Sequence, residues 1–230
     1  MHYSGKPAKF EDAATHGAHS GTELFIVEGD SASDAVANGR NPQLQAVLPM
    51  QGKPLNALKA TGARVVEYPL FVQLTHALGV QPTDIESGEV GDISQRRFER
   101  VLLLFDPDAD GIHSGALMLM YFYRWMRPLL AAGAVSIVRA PLYVLTVPGS
   151  EISVHAYSPE HAAKLITRLK QLGHADISTL HHRGLASIDP QLLASSCVNP
   201  AKRKTDTMTV ADVEAAIDVF AVLAKGPVDI

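Results

Sequence analysis

The apolar positions of this chain fall into short, nearly unbroken runs separated by polar turns. Leu24-Phe25-Ile26-Val27, Ala46-Val47-Leu48 and Val101-Leu102-Leu103-Leu104-Phe105 lack alternation. Runs of that length, apolar on both faces, predict buried strands of a parallel sheet. The second, Ala46 to Met50, is expected to break at Pro49 because proline cannot donate to a ladder. Between and after these runs the period lengthens. Ser31 to Asn38 predicts a helix with Asp30 or Ser31 as its N-cap, and Tyr68 to Leu78 predicts one ended by Gly79. Ser114 to Leu130 is apolar all round and predicts a buried helix. Val135–Val138 and Pro141–Val147 predict strands, and residues 151–175 a strand and then a helix from Pro159 to Leu172. Residues 81–95 and 181–204 are polar, and Val210 to Ala224 predicts a last helix capped by Thr209 and stopped by Gly226-Pro227. Alternating strands and helices predict an α/β sheet covered on both faces, whose functional groups gather at the carboxyl ends of the strands.

Composition agrees with a folded, well-cored chain. Of the 230 residues, 47% are hydrophobic and 19% charged, too apolar for disorder. No apolar run reaches the roughly 18 residues of a membrane span, and the first residues carry no signal-peptide core. One cysteine, Cys197, excludes an internal disulfide. A cytoplasmic setting is expected. The formal net charge of −4 counts against tight autonomous DNA binding, which favours basic domains.

The chemistry sits after two of the strands. Asp106-Pro107-Asp108-Ala109-Asp110-Gly111-Ile112-His113 follows the third run directly. In an extended segment alternate residues share a face, so Asp106, Asp108 and Asp110 are expected to converge. Carboxylates that close repel, and a divalent cation relieves the repulsion; hard oxygen donors favour Mg²⁺. A solvated acidic turn stays open as the alternative. A calcium-binding EF-hand is excluded, because the twelfth position of such a loop is Leu117, not glutamate, and a strand precedes it. Glu28-Gly29-Asp30-Ser31-Ala32 follows the first run. Alone, it reads as a helix-start carboxylate and a cap.

Taken together, the motifs are more specific. Glu28-Gly29-Asp30-Ser31-Ala32, Leu48-Pro49-Met50-Gln51-Gly52-Lys53-Pro54-Leu55-Asn56 and the Asp106–His113 loop, in this order, resemble the Toprim domain of type IIA DNA topoisomerases, the kind found in the B subunits of DNA gyrase and topoisomerase IV. The resemblance continues through Tyr121-Phe122-Tyr123-Arg124, Ala140-Pro141-Leu142-Tyr143 and Arg183-Gly184-Leu185. It implies a Toprim, Rossmann-like, mostly parallel sheet flanked by helices, with a small C-terminal helical extension. The expected division is a lead-in over 1–20, a Toprim core over 21–150 and a C-terminal part of the Toprim region over 151–230.

The resemblance further implies that Glu28, Asp106 and Asp108 bind Mg²⁺, with Asp110 helping. Glu28 matches the residue that acts as general acid or base, and Lys53, Asn56 and Arg183 match positions near DNA. The implied partners are DNA, a chain like the A subunit of gyrase that carries the tyrosine, and an ATPase chain. No ATPase or tyrosine domain is visible in the sequence, so the chain is expected to be inactive alone, as a subunit or fragment. The sequence departs from the pattern at Gln51 and Gly115, where basic residues are usual, at Ser33-Asp34, and at Ala186-Ser187. Those departures keep open a degenerate module that binds DNA or a topoisomerase partner without catalysis, and the same acidic site with water as nucleophile keeps open a metal-dependent nuclease. His113 is equally a packed or loop-bonding residue. His181, His182 and the Lys202–Lys204 run are either phosphate contacts or a solvated loop, and Cys197 is a packed thiol. His155, His161 and His174 lack zinc-ligand spacing.

Overall fold

The computed structural model describes residues 10–224, with side chains through residue 218. Tyr3 and the Gly226-Pro227 stop lie outside the described residues, as does the first part of the 1–20 lead-in.

The three apolar runs form the centre of a five-stranded sheet. β1 (Glu23–Glu28) lies between β2 (Gln45–Met50) and β3 (Arg100–Leu104), all parallel, and β4 (Val135–Val138) extends the sheet beyond β3. Burial on both faces explains the missing alternation. Leu24 and Ile26 enter one core with Leu48, Val101 and Leu103, whereas Phe25 and Val27 enter another with Val47, Leu102 and Leu104. A mixed α/β architecture with a mostly parallel sheet is therefore observed, and helices do cover both faces.

α1 (Gly29–Gly39) packs Ala32 and Val36 into the second core. On the opposite face lie α2 (Gly62–Val66), α3 (Pro69–Leu78, ended at Gly79), α4 (Ala109–Trp125) and α5 (Arg127–Ala131). Tyr121 of α4 stacks on Phe71 of α3 at 3.9 Å between centroids, and both are buried.

Several expectations change. Pro49 does not break β2: it stays in register with Val27. β2 is the sheet's terminal strand in this order, where a missing N–H is tolerated. Only one bridge, Glu11 to Val47, touches its outer side among the described residues, so part of the lead-in is pinned to the sheet. α1 starts at Gly29 with Glu28 at the N-cap and no side-chain capping bond. Neither Asp30 nor Ser31 caps it; Asp30 instead accepts from Gln51 at 2.9 Å. The helix expected over 114–130 starts five residues early and divides at Met126, whose backbone leaves the helical region (φ −136°, ψ 38°), ahead of Pro128.

The polar stretch 181–204 is also more structured than its composition suggested. β5 (Tyr143–Thr146) is the centre of a small antiparallel sheet with β6 (Ser153–Ala156) and β7 (Ser178–His181). α6 (Pro159–Gln171) covers one face through Leu165 and Leu169 packed on Leu145. After α7 (Pro190–Leu193) and a π-helical turn (Ala194–Val198), β8 (Thr205–Thr207) returns to the main sheet, antiparallel to β4. This return brings Arg203 beside Glu23 at the start of β1. Both side chains are at least 97% buried, and the Glu23 carboxylate accepts from Arg203 twice and from Gln45 Nε2 at 2.8 Å. Thr209 does cap α8 (Val210–Ala224), exchanging bonds with Asp212. Cys197 is packed in the second core, and burial pushes its thiol up to about 11.

Candidate metal centre

β1 and β3 are adjacent and parallel, so their carboxyl ends open at the same edge. Glu28 is the last residue of β1, and Asp106 stands two residues beyond β3. Both carboxyls are held above the usual carboxylate range. For Glu28 the main cause is burial, followed by the charges of Asp106, Asp108 and Asp110, with Lys53 opposing. For Asp106 the main cause is again burial; the Leu185 N–H lowers it and Asp108 raises it.

Asp106 is clamped from across the molecule. Its Oδ1 accepts from the Leu185 N–H at 2.8 Å. A Cβ added to Gly184 would stand 2.8 Å from Oδ2 and 3.2 Å from Cγ, so any side chain there would have to push the carboxylate aside. Gly111 is constrained more tightly still, because a Cβ would lie 2.0 Å from the Asp106 carbonyl oxygen. That contact lets the chain fold from β3 straight back into α4.

The early start of α4 separates the three aspartates. Asp108 is the N-cap, its Oδ1 accepting from Gly111 N–H at 2.8 Å. Asp110 lies in the first helical turn, and its carboxylate accepts from Lys53 Nζ at 2.7 Å, which holds it below the usual range. The three aspartates do not share one extended segment, because the chain is helical from Ala109, yet the charges of all three act on Glu28. Glu28 and Asp106 are the partly buried carboxylates, Asp108 and Asp110 are exposed, and Asp110 is engaged with Lys53. Among the described residues, no three His, Cys, Asp or Glu side chains form a ready-made metal cage.

The donor chemistry nonetheless suits Mg²⁺. This ion is commonly held by one or two carboxylates plus water and phosphate, not by an all-protein cage, and Glu28 and Asp106 are partly buried carboxylates with acidic neighbours.

The remaining sequence candidates are spread around this edge. Lys53 is half-exposed and engaged with Asp110. Asn56 Oδ1 accepts from the Leu58 and Lys59 N–H groups and so shapes its own turn. Arg183 is exposed beside the Gly184–Leu185 clamp, its N–H donating to Ser187 Oγ. His113 is exposed, not packed. Sequence reasoning missed the structural role of Gly184 and Leu185. Their place in the Arg183-Gly184-Leu185 motif was the available signal, although it pointed to DNA and not to Asp106.

Comparison with known proteins agrees with this geometry. The family model described as Toprim domain matches residues 23–140, from the start of β1 through β4. The B subunit of DNA gyrase from Archaeoglobus fulgidus is 34% identical over 217 residues, which cover 94% of this chain and 32% of that protein. The Streptococcus pyogenes protein of the same name is 34% identical over 226 residues (97% and 34%), and that of Thermus thermophilus 35% over 215 residues (93% and 33%). The chain spans about a third of the length of these relatives. The carboxylate edge, the strand order and these similarities agree: the chain belongs to the Toprim family and is similar, over nearly its whole length, to the B-subunit type of DNA gyrase, a type IIA topoisomerase.

Proposed function

We propose that this chain is the Mg²⁺-binding Toprim part of a type IIA DNA topoisomerase, acting in cleavage and rejoining of DNA with a tyrosine supplied by a partner chain like the A subunit of gyrase. An ATPase chain or segment would drive the cycle. The observation that carries this reading is Glu28 and Asp106: two partly buried carboxylates at the ends of neighbouring strands, both raised in pKa, with Asp106 held by the Leu185 N–H beside Gly184. Glu28, Asp106 and Asp108 would hold the ion. When bound, Mg²⁺ supplies charge neutralisation at a phosphate and at the leaving 3′ oxygen. Glu28, whose carboxyl is already biased toward protonation, would hold or return the proton at that oxygen. Lys53, Asn56 and Arg183 would stand near DNA, the two cations meeting phosphates; the exposed Lys53–Asp110 pair is weak enough for a phosphate to take the lysine.

A cytoplasmic location suits this role. No helix among the described residues is long and apolar enough to cross a membrane.

The test is calorimetric titration of Mg²⁺ into the wild-type chain and Glu28→Gln, followed by addition of supercoiled plasmid. Mg²⁺ binding that weakens at least about tenfold in the variant, with the plasmid left intact, is the expected result. Plasmid nicking by the chain alone would replace this reading with a water-using nuclease. Absence of metal binding would replace it with a non-catalytic DNA- or topoisomerase-binding module.

A further inference from the structure

A cavity of about 400 Å³ opens beside the acidic loop, on the side away from Glu28's strand, between α4, β4 and the return toward β8. Its floor is apolar: Phe105, Ile112, Leu119, Ile137 and Ala140 line it, and the small residues Gly115 and Ala116 give it depth. Gly115 lies so close to the Phe105 ring that an added Cβ would stand 3.3 Å from it. Ile112 is 70% exposed, in the exposed first turn of α4. The size and lining are those of a small-molecule site.

The polar groups are divided between two ends. Asp106 stands at one end, and Arg139, Asp206 and Tyr157 at the other. Arg139 uses Nε on Asp206, and both side chains are about half exposed. The two terminal nitrogens of Arg139 have no acceptor among the described residues. Lys204 Nζ sits 4.7 Å above the Tyr157 ring and makes no ion pair among the described residues. This end of the cavity therefore gathers two cations, Arg139 and Lys204, against one carboxylate, Asp206.

We infer that the cavity binds a small aromatic molecule carrying an acidic group, its ring against Phe105, Ala116 and Leu119 and its acid at Arg139 and Lys204. Aromatic rings supply the flat apolar area that such a floor accepts. A charge-assisted bond to Arg139 sets the orientation and keeps the acid away from Asp106. The site stands whether or not the acidic loop holds a metal.

The test titrates 2-naphthoate, neutral 2-naphthol and cationic 2-naphthylmethylammonium into the ¹⁵N-labelled chain, followed by amide chemical shifts. Naphthoate is expected to bind with shifts centred on Gly111, Gly115, Ala116 and Ala140, and about tenfold more tightly than naphthol. Arg139→Gln should remove that preference, and Ala116→Trp should abolish binding by filling the floor. Should the tryptophan variant lose its native spectrum, Ala116→Leu takes its place. Shifts located elsewhere, or naphthylmethylammonium binding as tightly as naphthoate, would overturn the inference.

Discussion

Asp106 shows how much one side chain depends on distant backbone. Its carboxylate is positioned by Gly184 and Leu185, 79 residues further along the chain at the latter. Gly184→Ala should displace that carboxylate and weaken Mg²⁺ binding about 10- to 100-fold, as loss of supporting groups around a metal ligand does; calorimetry on a variant with a native circular dichroism spectrum measures it. Glu28 leads to a prediction in pH. Its folded pKa is raised, so between the ordinary carboxylate range and that raised value the folded state holds the proton better than the unfolded state. Stability contributed there is lost as pH rises through the window, and above it the ionised group costs stability. In metal-free buffer, Glu28→Gln should therefore be more stable than wild type near pH ~7, with the difference shrinking toward pH ~4. Urea midpoints across that range test this, and an unchanged difference would contradict the electrostatic account. The sequence made Glu28 and Asp106 visible because each follows a buried apolar run. It concealed the clamp, because a backbone N–H leaves no mark in residue type.

α4 is the element on which the site's shape turns. The period of its apolar residues places its body correctly but misplaces its start, since Ala109, Asp110 and Gly111 look like loop residues. The capping bond from Gly111 to Asp108 extends the helix backward. Asp108 therefore has a structural role beside its proposed role as a ligand, and two substitutions separate them. In the presence of chelator, Asp108→Ala should lose about 1 kcal/mol of stability, whereas Asp108→Asn, still able to accept, should stay within about 0.5 kcal/mol. Both should weaken Mg²⁺ binding. Denaturation and calorimetry on the pair provide the comparison. At its other end α4 pins the polar 81–95 loop, Arg124 gripping Asp84 with two nitrogens at 3.0 and 2.9 Å and reaching Glu86. β7 escaped sequence reasoning altogether: Ser178–His181 is exposed at all four positions and carries no apolar pattern. It is a strand because β5 offers it a pairing edge, a tertiary effect that overrides local preference.

Across the whole molecule, chemistry gathers at the carboxyl pole of the sheet and a buried ion pair at the amino pole. The parallel core was legible in the apolar runs of β1, β2 and β3, and the Toprim character in the motifs that follow them. The return of β8 was not, because Thr205–Thr207 is short and polar. Arg203 secures that return. Arg203→Met should cost about 3–5 kcal/mol, because it strips the best partner from a carboxylate that stays buried, whereas Glu23→Leu combined with Arg203→Met should recover most of the loss. Urea unfolding of the single and double variants measures both.

That ion pair joins residues 180 positions apart, which makes it a matter of time as well as energy. A ribosome delivers β1 long before Arg203 emerges, so through most of synthesis Glu23 has only its nearer partners, Gln45 and Arg100. Contacts of such separation close slowly. The sheet's final closure is thus coupled to the arrival of its last strand, which brings Glu23 its buried guanidinium partner.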